Sequence, residues 1–148
     1  MRAVVQRVTK AAVDAGDHAA QIGPGLLVFV GVEREDGPSD VGYIARKIRE
    51  VRLFDDAEKG FERSVLDAGG EVLVVSQFTL TADCRKGRRP SFDAAASPEI
   101  AKPLYESVVL ELRNAGLSVE TGRFQAMMQV SLVNDGPVTL LLDSRRRF

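Results

Sequence analysis

Leu26-Leu27-Val28-Phe29-Val30-Gly31-Val32 is an unbroken apolar run that follows the break Gly23-Pro24-Gly25. Successive residues of a strand point to opposite faces, so such a run needs cover on both sides. It predicts a strand in the interior of a sheet. Val72-Leu73-Val74-Val75 is a second segment of the same kind. Between the two, Val41, Ile44, Ile48 and Val51 recur at helical spacing, with Arg46, Lys47, Arg49 and Glu50 mostly on the other side. Ser39, after Gly37-Pro38, suits the cap of that helix. Ser97-Pro98 opens a second helix, with Ile100, Leu104, Val108 and Leu112 as its buried stripe and Gly116 as its stop.

Residues 2–8, broken by Gln6 and Arg7, read as an amphipathic strand. The alanine-rich stretch 11–22 reads as short edge strands with a weak turn near Gly16 and Asp17. Arg52-Leu53-Phe54 suits a brief strand, Asp55 to Gly70 a charged loop, and Thr81 to Ala96 an irregular basic connection. Residues 117–121, 126–133 and 138–142 complete the strands. The order ββ-α-β-α-βββ predicts a single α+β domain over residues 1–148, with two main helices covering a mixed, largely antiparallel sheet.

The composition narrows the function. The chain has 148 residues, 45% hydrophobic and 28% charged, with a formal net charge of -1. That balance is ordinary for a soluble globular domain and gives no global attraction to nucleic acid. Cys84 is the lone cysteine, so no internal disulfide forms, as expected of a cytoplasmic protein. No apolar run is long enough to span a bilayer.

The usual hydrolytic apparatus is missing. His18 is the only histidine, in a weakly structured segment, and Cys84 has no histidine to pair with. No zinc-ligand spacing is present, and Gly23-Pro24-Gly25 lacks the lysine and helix of a phosphate loop. Neither a metal nor a cofactor is expected. Ser76-Gln77-Phe78-Thr79 ends an apolar strand. Taken alone it reads first as a polar strand end; the functional reading is a rigid rim of backbone N–H groups and hydroxyls that steadies an oxyanion. Continued period two places Ser76 and Phe78 with Val72 and Val74, and Gln77 and Thr79 on the other face. Asn134-Asp135-Gly136 suits a hairpin turn, but Pro137 removes a donor where the next strand should begin pairing. A fixed Gly136-Pro137 unit displays two carbonyl oxygens, acceptors for an ammonium group that has only donors. In Arg85-Lys86-Gly87-Arg88-Arg89 four of five residues are positive, which suits a solvated loop or a phosphate contact. Arg145-Arg146-Arg147 suits a phosphate contact or a frayed tail.

Together the Ser76 segment and the Gly136-Pro137 segment resemble the signature pair of the D-aminoacyl-tRNA deacylases. The resemblance extends in order through Val5-Gln6-Arg7-Val8, Gly25-Leu26-Leu27-Val28, Pro90-Ser91-Phe92, Thr121-Gly122-Arg123-Phe124 and Met128-Gln129-Val130-Ser131-Leu132-Val133-Asn134. It implies a barrel-like core and a homodimer with pockets at the subunit interface. It implies a cis Gly136-Pro137 that reaches into the partner's pocket and holds the substrate amine. A D-residue then points its side chain outward, an L-residue clashes, and glycine passes. Arg7 matches the arginine that braces this loop. Phe78 and Thr79 match the residues whose amides face the scissile carbonyl, with Ser76 and Gln77 beside them.

The resemblance therefore implies hydrolysis of D-aminoacyl-tRNA, and of glycyl-tRNA mischarged on tRNA(Ala), with the 2′-hydroxyl of the terminal adenosine assisting. Arg85, Lys86, Arg88 and Arg89 then fall to tRNA binding; DNA and membrane are not expected partners. The alternative is a module that binds the tRNA 3′ end without turnover. The family often carries Gly-Lys-Met-Asn where this chain reads Lys59-Gly60-Phe61-Glu62-Arg63.

Overall fold

The computed structural model describes residues 1–56 and 58–148. Among these residues, eight strands and two α-helices follow in the order β1 (Arg2–Asp14), β2 (Ala19–Ile22), β3 (Gly25–Gly31), α1 (Pro38–Glu50), β4 (Phe54–Asp56), β5 (Gly60–Arg63), β6 (Glu71–Ser76), α2 (Pro98–Asn114), β7 (Ser118–Thr121) and β8 (Gln129–Asp143). A single 3-10 turn, Phe78–Thr81, follows β6.

The apolar run forms β3, the centre of the six-stranded sheet. β3 pairs antiparallel with the first half of β1 and parallel with β6, and β6 pairs parallel with β7. β2 continues along the same edge of β1, while β8 lines its other edge over nearly its whole length. The sheet is therefore mixed. Leu26, Val28, Val30, Val72 and Val74 face the helices and pack with Val41, Ile44, Ile48, Val108 and Leu112. Leu27, Leu73 and Val75 face the other way, where Val130 and Leu132 of β8 close over them and curl the sheet toward a barrel. Burial of each such side chain contributes about 1.5–3 kcal/mol, which is why neither face of β3 shows any alternation of polar residues.

Several boundaries differ from the sequence reading. Residues 2–8 and 11–14 form one strand, because β8 pairs with both parts, on either side of an interruption near Arg7. The segment read as a loop from Asp55 holds the β4–β5 hairpin; Ala57, within it, lies outside the described residues. Gly37 rather than Ser39 caps α1: the Asp40 carboxylate accepts from the Gly37 N–H at 2.9 Å, two residues before Ser39 has a role to fill. In α2, Tyr105 and Val109 are buried with Val108 and Leu112, whereas Ile100 is exposed. Tyr105 is held there by its hydroxyl, which donates to the Val74 carbonyl at 2.9 Å.

The largest difference concerns Gly136-Pro137. It is not a hairpin turn. Residues on both sides pair with the same strand: Gln6 faces Thr139, and Val8 faces Asn134. Opposite the single residue Arg7, four residues of β8, Asp135 to Val138, are looped out. The chain keeps its direction, so this is a wide bulge within one strand. Asn134 closes its base, its side-chain oxygen accepting from the Val138 N–H at 2.8 Å.

Candidate active site

Two groups of residues stand apart from the rest. The first lies at the end of β6. The strand stops at Ser76, the Gln77 N–H donates to the Val30 carbonyl at 2.8 Å, and the chain then tightens into the 3-10 turn. The period-two placement of Phe78 and Thr79 therefore fails, because the alternation ends one residue after the strand. Gly31 permits the tight turn to sit on β3: a Cβ there would lie 2.9 Å from the Leu80 Cβ and 3.0 Å from the Gln77 carbonyl oxygen. Arg2 ties the end of the turn to β1, its Nη1 donating to the Leu80 carbonyl at 3.0 Å.

The first N–H groups of a helical turn have no partner within it. Here the Leu80 N–H reaches back to the Gln77 carbonyl, while the N–H groups of Phe78 and Thr79 meet no acceptor among the described residues. Both residues line an open cavity of about 740 Å³, together with Ser76 and Gln77. Its walls are apolar: Phe29, Val75, Phe124, Met127 and Met128. Among the described residues, no side chain lining it is ionisable. Gln125 holds the wall segment in a left-handed conformation, φ 61°, uncommon for a residue with a side chain. The Gln77 side-chain amide donates to the Thr79 hydroxyl at 2.9 Å. Among the described residues, no basic side chain lines the cavity to take the proton of that hydroxyl.

The second group surrounds the bulge. The Gly136-Pro137 peptide bond is cis. Gly136 has φ 133°, and a Cβ on it would lie 2.7 Å from a Val138 methyl. Arg7, buried in the sheet opposite, donates from Nε to the Asp135 carbonyl at 3.1 Å and from Nη1 to the Leu53 carbonyl at 2.6 Å. Its guanidinium also lies 3.3 Å from the Asp135 carboxylate and 5.3 Å from the centre of the Phe61 ring. Phe61 on β5 thus reaches the bulge through Arg7, a link that the charged run around it concealed.

The two groups do not meet within one chain: neither Arg7 nor Gly136-Pro137 lines the cavity. The other candidates lie elsewhere. His18 hydrogen-bonds the Thr121 carbonyl at 2.8 Å and fixes a strand end. Cys84 is exposed at the root of the basic loop. In that loop, Arg85 grips Asp83 at 2.6 and 2.9 Å, which raises the arginine's pKa and holds the carboxyl far below its ordinary range. Lys86, Arg88 and Arg89 are exposed. The loop's base is pinned by Asp83–Ser91 pairing and by Phe92, whose ring meets Phe78 edge-on at 5.0 Å. Among the described residues, no cluster of three or more His, Cys, Asp or Glu is placed to hold a metal ion. No helix among the described residues is long and apolar enough to cross a membrane.

The family model described as D-Tyr-tRNA(Tyr) deacylase matches residues 4–143. The chain belongs to that deacylase family. It is 59% identical to the D-aminoacyl-tRNA deacylase of Syntrophotalea carbinolica, with all of both chains covered, and 57% identical to that of Desulfitobacterium hafniense over the same extent. Among solved structures it resembles one named c-Myc DNA Unwinding Element Binding Protein, 41% identical, with a TM-score of 0.90 and 97% of this chain and 98% of that one covered. A probable eukaryotic D-amino acid tRNA deacylase shares the fold at a TM-score of 0.83 and 16% identity, covering 95% and 97% of the two chains. The deacylase family model spans both residue groups, from Arg7 through the 3-10 turn to the cis bulge.

Proposed function

We propose that this protein hydrolyses the ester that joins a D-amino acid to the 3′-terminal adenosine of tRNA, releasing the amino acid and intact tRNA. The observation that carries this reading is a cavity with two unmet backbone N–H groups, Phe78 and Thr79, and no ionisable lining side chain. Such a site binds a developing oxyanion but supplies no general base. Preorganised donors of this kind are each worth about 2.7–4 kcal/mol in a transition state. An aminoacyl ester asks for less barrier lowering than an amide. The vicinal 2′-hydroxyl of the adenosine supplies what the protein lacks. It orients and polarises the attacking water; the water's oxygen bonds to the carbonyl carbon, the bond to the 3′-oxygen breaks, and that oxygen leaves with a proton.

Selection between mirror images falls to Gly136-Pro137. The bulge is exposed, and β8 also exposes Val133 and Leu141 along its length. We assign this face to a second copy of the chain, so that each bulge enters the partner's cavity. The carbonyl oxygens of Gly136 and Pro137 then accept from the substrate ammonium. With the amine held there, a D-side chain points outward and an L-side chain runs into the main-chain wall. Glycyl-tRNA, including tRNA(Ala) mischarged with glycine, has no side chain to exclude and is accepted. Lys86, Arg88 and Arg89 contact phosphates of the incoming strand; Arg85, already committed to Asp83, contributes less.

The test is paired deacylation of D-tyrosyl- and L-tyrosyl-tRNA by purified protein. Rapid loss of the D-ester alone is expected. Binding of D-tyrosyl-tRNA without ester loss would leave only a 3′-end binding module. Equal loss of both enantiomers would remove the role given to the bulge.

A further inference from the structure

The C-terminal arginines do not form a frayed tail. Arg145 pairs with Glu35 at 2.7 Å and lies 3.4 Å from Asp36, and Arg147 pairs with Glu33 at 2.5 Å and Asp143 at 2.8 Å. These two are turned inward onto carboxylates. Arg146, between them, is turned out by a left-handed backbone, φ 54°, and its guanidinium lies 5.9 Å from the centre of the Tyr43 ring. Two further cations converge on the same ring from α1: Arg46 at 5.9 Å and Lys47 at 5.8 Å.

None of these three cations has a carboxylate partner among the described residues. The acids nearest along α1 are already engaged. Asp40 accepts from the Ser144 hydroxyl and the Gly37 N–H, and Glu50 pairs with Arg49. An aromatic face attracts a cation, but three cations around one ring repel one another. The cluster is therefore a patch of uncompensated positive charge on one aromatic ring.

The tail that carries Arg146 is tied to the wall of the cavity. The backbone of Glu33, which holds Arg147, bridges to Ala95, and Ala95 lines the cavity. Arg146 is thus one residue from a contact that leads directly to the cavity rim. The basic loop, Asp83 to Ser91, leaves the same rim just beyond the 3-10 turn. We propose that Arg46, Lys47 and Arg146, set around Tyr43, form a phosphodiester-binding patch that holds the backbone of the tRNA whose 3′ end occupies the cavity. This rests on the reading of the cavity as an aminoacyl-tRNA site.

The experiment compares wild-type protein with the triple variant Arg46→Ala/Lys47→Ala/Arg146→Ala. Three readouts are taken: the Kd for uncharged tRNA across a salt series, kcat/KM on D-tyrosyl-tRNA, and turnover of D-tyrosyl-adenosine. The three side chains lie at the surface, so the fold should survive. Loss of the patch should weaken uncharged-tRNA binding by about ten-fold or more at low salt. It should also reduce the slope of log Kd against log salt by about two to three. KM for D-tyrosyl-tRNA should rise with it, while D-tyrosyl-adenosine, which carries no stem, should turn over as before. The charge-retaining variant Arg46→Lys/Arg146→Lys should restore most of the binding.

An unchanged Kd and salt slope would overturn the proposal. So would equal losses on D-tyrosyl-tRNA and D-tyrosyl-adenosine, because a general structural defect explains those. If wild-type protein released amino acid from neither substrate, the catalytic reading would fall, yet the binding series would still decide for or against the patch.

Discussion

Arg7 Nε donates to the carbonyl of Asp135 at 3.1 Å while Nη1 of the same guanidinium donates to the carbonyl of Leu53 at 2.6 Å. One buried side chain thus fastens the looped-out part of β8 to the segment that follows α1. Arginine suits this because its planar fork reaches two acceptors in fixed directions; lysine offers one point charge. Each hydrogen bond from a charged donor is worth about 1.5–3 kcal/mol. Arg7→Lys should therefore keep the fold but loosen the bulge. The expected outcome is a loss of about ten- to hundred-fold in kcat/KM on D-tyrosyl-tRNA, with a smaller D-to-L preference. Kinetics on both enantiomers check it, and an unchanged preference would show that Arg7 does not govern the bulge.

Phe61 should act on the same step more weakly. Its ring lies 5.3 Å from the Arg7 guanidinium, a contact worth about 0.5–1 kcal/mol at an exposed site. Phe61→Ala should lower kcat/KM by about two- to five-fold. Phe61→Met, which keeps an apolar cover over Arg7, should recover most of that. Melting temperature should move little in either, since the ring is half exposed.

The sequence showed the central strands plainly because the apolar runs Leu26 to Val30 and Val72 to Val75 are covered on both faces and carry nothing polar to blur them. The second helix was equally plain from Ser97-Pro98 and its apolar stripe. The bulge was hidden for a physical reason. Turn residues such as Asn134-Asp135-Gly136 mark a departure from regular pairing, and local chemistry does not tell a reversal of the chain from an excursion that returns to the same partner. Only the pairing of Thr139 with Gln6 decides that. The 3-10 turn was hidden likewise, since its seat is the missing side chain of Gly31, distant in sequence. The tail arginines looked interchangeable, and their contrasting directions depend on carboxylates at 33–36 that meet them only in the folded chain.

Gly136 should tolerate no side chain. Its φ of 133° lies where side chains are strained, and an added Cβ would press on Val138 at 2.7 Å. Gly136→Ala should distort the bulge and reduce D-tyrosyl-tRNA turnover by at least about ten-fold. Because the segment is exposed and looped out, the thermal midpoint should fall by only a few degrees. Parallel calorimetry and deacylation separate the two, and a variant that kept full activity would exclude the bulge from the site.

Acid should loosen the network where the tail meets β1. Burial alone would raise the pKa of Asp143, but Arg147 and the Arg145 N–H outweigh it and hold the carboxyl below its ordinary 3.8. Asp40 behaves alike: burial is overcome by the Ser144 hydroxyl and the Gly37 N–H. A depressed carboxylate stabilises the fold fully above its unfolded pKa, and that contribution is lost as pH falls through the folded value. The melting temperature should be flat from pH 7 to about 5 and decline below about 4. Asp143→Asn should lower it at pH 7 and flatten the decline. An undiminished acid slope in that variant would assign the loss to other carboxylates.

Thr79 decides how the ester is broken. Its hydroxyl accepts from the Gln77 side-chain amide at 2.9 Å, and among the described residues no ionisable side chain lines the cavity to remove its proton. A hydroxyl that is not deprotonated is a poor nucleophile, so a covalent intermediate on Thr79 has no means of activation. Its backbone N–H, by contrast, survives any substitution except proline. Thr79→Ala should therefore hydrolyse D-tyrosyl-tRNA within about three-fold of wild type, whereas Thr79→Pro, which removes the donor, should lose about 10²–10³ in kcat. A substrate ending in 2′-deoxyadenosine should be lost far more slowly by every variant, because it lacks the hydroxyl to which the proposed mechanism gives the activation of water. Abolition of turnover by Thr79→Ala, with the 2′-deoxy substrate cleaved at full speed, would instead place the nucleophile on the protein.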